Sequence, residues 1–277
     1  MRNKIWFLTV CHNRKDLTLK FVNQLLNLNN KNWNLILVDD GSTDGTSDQV
    51  KLRLPKVNII KGDGNLWWAG GLQKGMEFFL QESMSEDLLC IINDDVAIDP
   101  SFLDNYFSIQ GYQEKLVLTA YKTLNNDCLK FGVFLDWNKF NFEEVEYLND
   151  KRKINCFSTR GLFLSKSNLL KIGLMRPKLL PHYLSDYEFT IRAYNLGIEY
   201  EVDEKLYLVL NENTTGVHIV NKRSGVLSYI SNCFSKRCAF NPYYLTIFVF
   251  LCAPLKRIIP STIRIWISFS KGLIRSI

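Results

Sequence analysis

The sequence predicts an α/β fold with a mostly parallel central sheet, and three observations carry that prediction. In the first hundred residues, short apolar runs at 5–10, 34–38, 57–60 and 88–92 recur without the polar alternation of a half-exposed strand. Helical patterns near 14–28, 44–52 and 70–84 separate them. Strands buried on both faces and alternating with helices belong to parallel sheets. Each run then ends in a polar or glycine-rich segment: Cys11-His12-Asn13-Arg14, Asp39-Asp40-Gly41-Ser42, Gly62-Asp63-Gly64-Asn65 and Asn93-Asp94-Asp95. Ligands of such sheets bind beyond the carboxyl ends of the strands, so these four segments form the expected site.

Each element has its own reason. Leu17, Phe21, Leu25 and Leu28 give the first helix its apolar face, and Ser42, Thr43 or Asp44 is placed to cap the second. Pro100 suits the start of a helix, and 116–120 reads as a further strand. From there to residue 150 the chain is polar and aromatic without a clear period. A turn at Arg160-Gly161 precedes a short apolar run, and Gly197 should stop a helix over 186–196.

The 277 residues are 47% apolar and 22% charged, as expected of a chain with a sizeable core. The net charge of +6 is uneven, because residues from 218 onward hold nine Lys or Arg and no acid. Residues 1–217 have 25 basic against 28 acidic side chains, so no nucleic-acid-binding surface is expected. Seven scattered cysteines without a CxxC pair suggest reduced thiols in the cytoplasm. The change of composition sets an expected boundary between a catalytic domain, 1–217, and a basic amphipathic helical region, 218–277. The apolar run 243–255 is shorter than the ~20 residues of a membrane span. With the cations and apolar residues that follow, it suggests helices lying in the membrane interface, or else packed on the core.

Adjacent carboxylates such as Asp94 and Asp95 repel each other unless a cation lies between them. Mg²⁺ or Mn²⁺ held by one or two carboxylates would also bind a nucleotide diphosphate; a plain turn is the simpler alternative. Asp39, at a strand end, is placed to accept hydrogen bonds from a base or ribose. In His182-Tyr183-Leu184-Ser185-Asp186-Tyr187-Glu188, Asp186 is a candidate N-cap or a candidate general base.

Four segments in order resemble glycosyltransferase family 2, the inverting group with the GT-A nucleotide-binding sandwich: Thr9–Arg14, Val38–Thr46, Asn93–Asp95 and Leu180–Phe189 with Arg192. Gly64-Asn65-Leu66-Trp67-Trp68-Ala69-Gly70-Gly71 resembles a loop of the rhamnosyltransferase-like branch of bacterial surface polysaccharide synthesis. The resemblance implies a nucleotide-sugar donor contacted by Thr9, Asn13, Arg14, Asp39, Asn65 and Asp94. It implies Mn²⁺ or Mg²⁺ on Asp95, with His218 a weaker candidate, and Asp186 as catalytic base. Trp67, Trp68, Arg160, His182 and Glu188 would line the sugar or acceptor pocket, Glu188 alternatively positioning its helix. Asn93 departs from the Asp of many relatives, which weakens the expected metal site. The acceptor would be a glycan or lipid-linked saccharide, met by peripheral contact at the inner face of the cell membrane. A nucleotidyltransferase or an inactive glycan-binding scaffold are the alternatives; Thr9–Lys15 lacks the glycine-rich phosphate loop of the first.

Overall fold

The computed structural model describes residues 3–210 and 225–275. The chain runs β1 (Ile5–Cys11), α1 (Lys15–Leu26), β2 (Trp33–Asp39), α2 (Thr46–Arg53), β3 (Asn58–Lys61), α3 (Trp67–Glu82), β4 (Leu88–Ile91), β5 (Val96–Ala97), α4 (Phe102–Phe107) and β6 (Leu116–Thr123). It continues through β7 (Asn126–Lys130), β8 (Gly132–Asp136), β9 (Asn141–Val145), a 3₁₀ turn (Leu148–Lys153), β10 (Leu162–Ser165), α5 (Lys166–Ile172), α6 (Ser185–Asn195) and β11 (Tyr200–Leu210). Three further helices follow, α7 (Val226–Cys233), α8 (Pro242–Cys252) and α9 (Leu255–Ile274). His218 and the expected 217/218 boundary lie outside the described residues.

The main sheet has the order β3-β2-β1-β4-β10-β6-β11-β5, with β7 on β6. β1 pairs in parallel with both β2 and β4, while β10 runs antiparallel to both of its neighbours. From β1 the chain builds outward through β2 to β3, then returns to place β4 on the other side of β1. The reversal leaves a crevice between the ends of β1 and β4, the topological switch point at which such sheets bind ligands. Arg14 follows β1 and Asp94 follows β4.

Both sheet faces are buried, which explains the uninterrupted apolar strands. Ile5 and Phe7 of β1 meet Phe21 and Leu25 of α1, with Phe102 and Tyr106 of α4 in the same cluster. Leu8 and Val10 on the other face meet Leu72, Met76 and Phe79 of α3 and Phe189 of α6. α3 approaches so closely that a Cβ on Gly75 would lie 2.1 Å from Leu8 Cδ1.

A third cluster joins the β8–β9 hairpin to α6 and α8 through Val133, Leu135, Leu184, Ile191, Phe248 and Cys252. Phe248 is fully buried and stacks on Trp137 at 5.9 Å. Thus α8 packs against the sheet domain, as the alternative reading of the tail expected. α9 buries Ser261 and Ile265 but exposes Ile259, Ile263, Trp266, Ile267 and Ile274. No helix among the described residues is long and apolar enough to cross a membrane.

Candidate active site

The loops after β1, β2 and β3 are tied to one another by their own polar side chains. Asn13 Oδ1 accepts from the Thr43 backbone N–H at 2.8 Å, and the Asn13 N–H donates to Ser42 Oγ at 2.9 Å. Asp44 accepts from the backbone N–H groups of Lys15 and Thr46, so it organises the starts of both α1 and α2. Gly41, at φ +71°, lies so near Gly64 that an added Cβ would be 2.7 Å from the Gly64 nitrogen.

Asp40 has a full structural explanation in its backbone partners. Its Oδ1 accepts from the Gly64 and Leu66 N–H groups at 2.9 and 3.2 Å, and Oδ2 from Trp67 N–H at 3.0 Å. These bonds satisfy donors at the start of α3 and hold the 62–67 loop. Asp39 is wholly buried. Burial alone would raise its carboxyl, but hydrogen bonds from Ser42, Ser47 and Lys61 more than offset that and hold it below the usual range. An ionised group therefore stands at the carboxyl end of β2.

Across the switch point, the Arg14 guanidinium spans both aspartates, with Nη1 3.1 Å from Asp94 Oδ1 and Nη2 2.9 Å from Asp95 Oδ2. The first contact is an attraction of charges without a hydrogen bond. Thr18 Oγ1 donates to Asp94 Oδ2 at 2.8 Å. Burial pushes the Asp94 carboxyl up to about 6 against the pull of Arg14 and Thr18. Asn93 Oδ1 and Asp95 Oδ1 are buried acceptors without a hydrogen-bond partner among the described residues. Oxygen atoms of this kind fit a hard divalent cation. No cluster of three or more His, Cys, Asp or Glu suited to a metal occurs among the described residues, so a cation here would need phosphate oxygens to complete its shell.

Thr9 is wholly buried on β1, and its hydroxyl has no hydrogen-bond partner among the described residues. Asn65 is exposed on the loop before α3. The two tryptophans divide. Trp67 faces His182 at 5.6 Å between ring centroids, with Lys236 and Arg237 over its ring at 5.6 and 5.9 Å. Trp68 packs against the core, and its Nε1 donates to Thr159 Oγ1 at 3.3 Å.

Asp186 is not a helix cap. The N-cap position of α6 is Leu184, at φ +69°, and Ser185 Oγ donates back to the His182 carbonyl. Asp186 is half-buried and accepts from the Tyr187 N–H at 3.1 Å, with a further backbone hydrogen bond at Thr159. Burial raises its carboxyl above the ordinary value, and Arg160 pulls the other way. Tyr187 stacks on Phe142 at 5.2 Å, which fixes the hairpin beside the carboxylate. Asp186 and Arg160 both open into a cavity of about 1080 Å³. Glu188, expected in the pocket, points elsewhere: Arg192 forks onto it through two 3.0 Å bonds, and Arg176 lies 3.1 Å away. Its carboxylate is almost fully buried, so it serves the position of the helix.

The non-glycine residues with φ above +20° are Asn13, Trp67, Phe140 and Leu184 among the described residues, and all four border this region. Such conformations cost about 1–3 kcal/mol each and persist where the surroundings over-determine them. Sequence reasoning missed the basic residues that the tail brings here. Lys236 and Arg237 lie over Trp67, and Arg264, Lys271 and Arg275 line the cavity of Asp186. Their signal was the absence of acids from the same segment.

The fold is shared with solved glycosyltransferases. A mannosyltransferase from Pyrobaculum calidifontis, in complex with GDP-Man and Mn²⁺, superposes with a TM-score of 0.58 at 13% identity, covering 100% of this chain and 73% of that one. The S. aureus protein TarS, residues 1–349 in complex with UDP-GlcNAc, superposes at 0.60 with 16% identity, covering 98% and 81%. No curated protein sequence matches the chain. Residues 6–165 match the family described as Glycosyl transferase family 2, more than half of the length. By that match and the GT-A sheet around the switch point, the chain belongs to glycosyltransferase family 2.

Proposed function

We propose that the protein is an inverting glycosyltransferase that moves a hexosyl or deoxyhexosyl group from a nucleotide-diphosphate donor to a hydroxyl of a glycan or lipid-linked acceptor in polysaccharide biosynthesis. The observation that carries this reading is the separation of two carboxylate centres. Asp94 and Asp95 lie at the crevice between β1 and β4, whereas Asp186, in the first turn of α6, opens into a cavity.

In this reading Asp39 holds the base, while Asn13, Arg14 and Asn65 border the nucleotide and Asp94 faces the ribose. Asp95, helped by Asn93, would hold Mn²⁺ or Mg²⁺ against the donor's diphosphate. When bound, such a cation supplies positive charge where the leaving group becomes more negative. Asp186 takes the proton of the acceptor hydroxyl as its oxygen bonds to the anomeric carbon. The bond from that carbon to the diphosphate breaks on the opposite side, so the configuration inverts. A base whose carboxyl is raised toward neutrality is better matched to this task than an ordinary aspartate. Trp67, His182 and Arg160 would position the transferred sugar. The rhamnosyltransferase-like branch rests on the 64–71 segment alone.

Contact with the inner face of the cell membrane is part of the proposal. The exposed apolar residues of α9, flanked by Lys256, Arg257, Arg264, Lys271 and Arg275, support it. The test is release of nucleotide diphosphate from a panel of UDP-, GDP- and dTDP-sugars with Mn²⁺ or Mg²⁺. Metal-dependent release from one donor, lost in Asp95→Ala, is expected. Undiminished release by Asp95→Ala would remove the metal role.

A further inference from the structure

Trp67 stands between the two carboxylate centres. Its N–H is held by Asp40 behind β2, and its ring meets His182, which precedes Asp186 in the same segment. The neighbouring Trp68 reaches Thr159 through its Nε1, and the Gly161 N–H donates to the Ile91 carbonyl at the end of β4. Asp94 and Asp95 follow directly from that strand end. Trp67 therefore adjoins the crevice on one side and the helix of Asp186 on the other.

Two cations share this one ring. Lys236 Nζ and the Arg237 guanidinium lie 5.6 and 5.9 Å from its centroid. Both are exposed, and neither has an ion-pair partner among the described residues. Their loop is nevertheless anchored. Cys233 and Cys238 are buried on either side of it, and the buried Asn241 donates through Nδ2 to the Ser235 carbonyl at 3.1 Å. Ser235 Oγ accepts from the Arg237 N–H at 3.2 Å. An aromatic ring attracts an exposed cation only weakly, and two like charges over one ring repel each other. An anchored loop that holds them together in this way fits an anion placed between them.

Resting on the donor reading above, we propose that Lys236 and Arg237 bind the donor's diphosphate and hold it as it leaves. The crevice itself is short of positive charge. Arg14 is engaged by Asp94 and Asp95, and Asp39 adds an ionised carboxylate. Asn93 offers a cation only an amide oxygen, a weaker ligand than a carboxylate. When the bond from the anomeric carbon breaks, its electron pair passes to the diphosphate oxygen, which gains negative charge. Two cations already in position stabilise that charge without rearrangement. The planar fork of Arg237 and the point charge of Lys236 are both suited to phosphate oxygens. The tail thus completes the donor site from the side opposite to the strand ends in the sequence.

The test is calorimetric titration of the full chain with the mono- and diphosphates of uridine, guanosine and thymidine, in EDTA and again in Mn²⁺, with UDP-glucose and UDP-glucuronate alongside. For the nucleoside that binds best, wild type should prefer the diphosphate to the monophosphate by about tenfold or more. Lys236→Gln/Arg237→Gln should lose most of that preference, with monophosphate affinity within about twofold of wild type, and added salt should weaken its diphosphate binding less. Lys236→Arg/Arg237→Lys, which keeps both charges, should retain the preference. In transfer, the glutamine variant should lose kcat with the KM for acceptor unchanged. A glutamine variant that binds diphosphate like wild type overturns the proposal. So does an equal loss of mono- and diphosphate binding, which would give the loop a structural role. A loss confined to UDP-glucuronate would place the cations on the sugar and overturn it too. Wild type that binds no nucleotide even in Mn²⁺ refutes the donor reading and this proposal together, whereas tight wild-type binding with an undiminished glutamine variant refutes this proposal alone.

Discussion

Replacing Asp40 with asparagine tests whether this carboxylate organises the loop that leads into α3. The wild-type group accepts three backbone N–H bonds, two at Oδ1 from Gly64 and Leu66 and one at Oδ2 from Trp67. Asparagine is nearly the same size but has one oxygen. Its best orientation keeps the Oδ1 pair and turns an NH₂ group toward the Trp67 N–H, donor against donor. Losing one charge-assisted bond of this kind costs about 1.5–3 kcal/mol, and the two neutral bonds that remain are weaker, so the total is about 2–4 kcal/mol. At this chain length each kcal/mol lowers Tm by about 2–3 °C, giving a fall of about 4–12 °C. Thermal unfolding and urea titration read the effect, and the urea slope should stay the same because little surface changes. A Tm within about 1 °C of wild type would refute the argument, because three bonds to a buried carboxylate cannot be neutral under these magnitudes.

Two further outcomes follow from the geometry. Arg160 pulls the raised Asp186 carboxyl downward, so Arg160→Gln should raise it further. The base works as carboxylate, so activity is lost as pH falls through its value, and the acid limb of kcat/KM should move to higher pH. A limb that stays in place would mean that another group sets it. Phe248→Ala should cost about 3–5 kcal/mol, because a fully buried aromatic joining α8 to the hairpin leaves a cavity behind. A loss below about 1 kcal/mol in urea unfolding would show that α8 is not part of the cooperative core.

Much of the fold was legible in the sequence because burial on both faces writes itself as apolar runs. β1, β2 and β4 have every residue from Ile5 to Cys11, Leu35 to Asp39 and Leu88 to Ile91 buried, and all three lie within one or two residues of where the runs place them. β11 was missed for a physical reason. Its polar residues Glu204 and Lys205 fall within a register shift between Asp203 and Tyr207, just after Glu201 and Asp203, which breaks the alternation of a strand. α5 is only seven residues long, too short to show a helical period. β9 sets Phe142 among Asn141, Glu143 and Glu144, so it has no apolar run, and its packing with α6 and α8 arises only in the folded chain. At the site, the segments at the strand ends were visible because turn chemistry concentrates there. Asp40 and Glu188 could not be told from ligand-binding acids, since only tertiary contacts show that backbone N–H groups and arginines already occupy them. The cations of α9 face a cavity that exists only once the tail is folded back.

The most direct test of the central claim is Asp186→Asn, with donor binding measured by calorimetry in Mn²⁺ and transfer measured in the same preparation. Asparagine keeps the shape but cannot take the proton, and general-base contributions are about 10²–10⁴-fold. Turnover should fall by that order, with donor affinity within about twofold of wild type. A parallel loss of both, or turnover within tenfold of wild type, would contradict it.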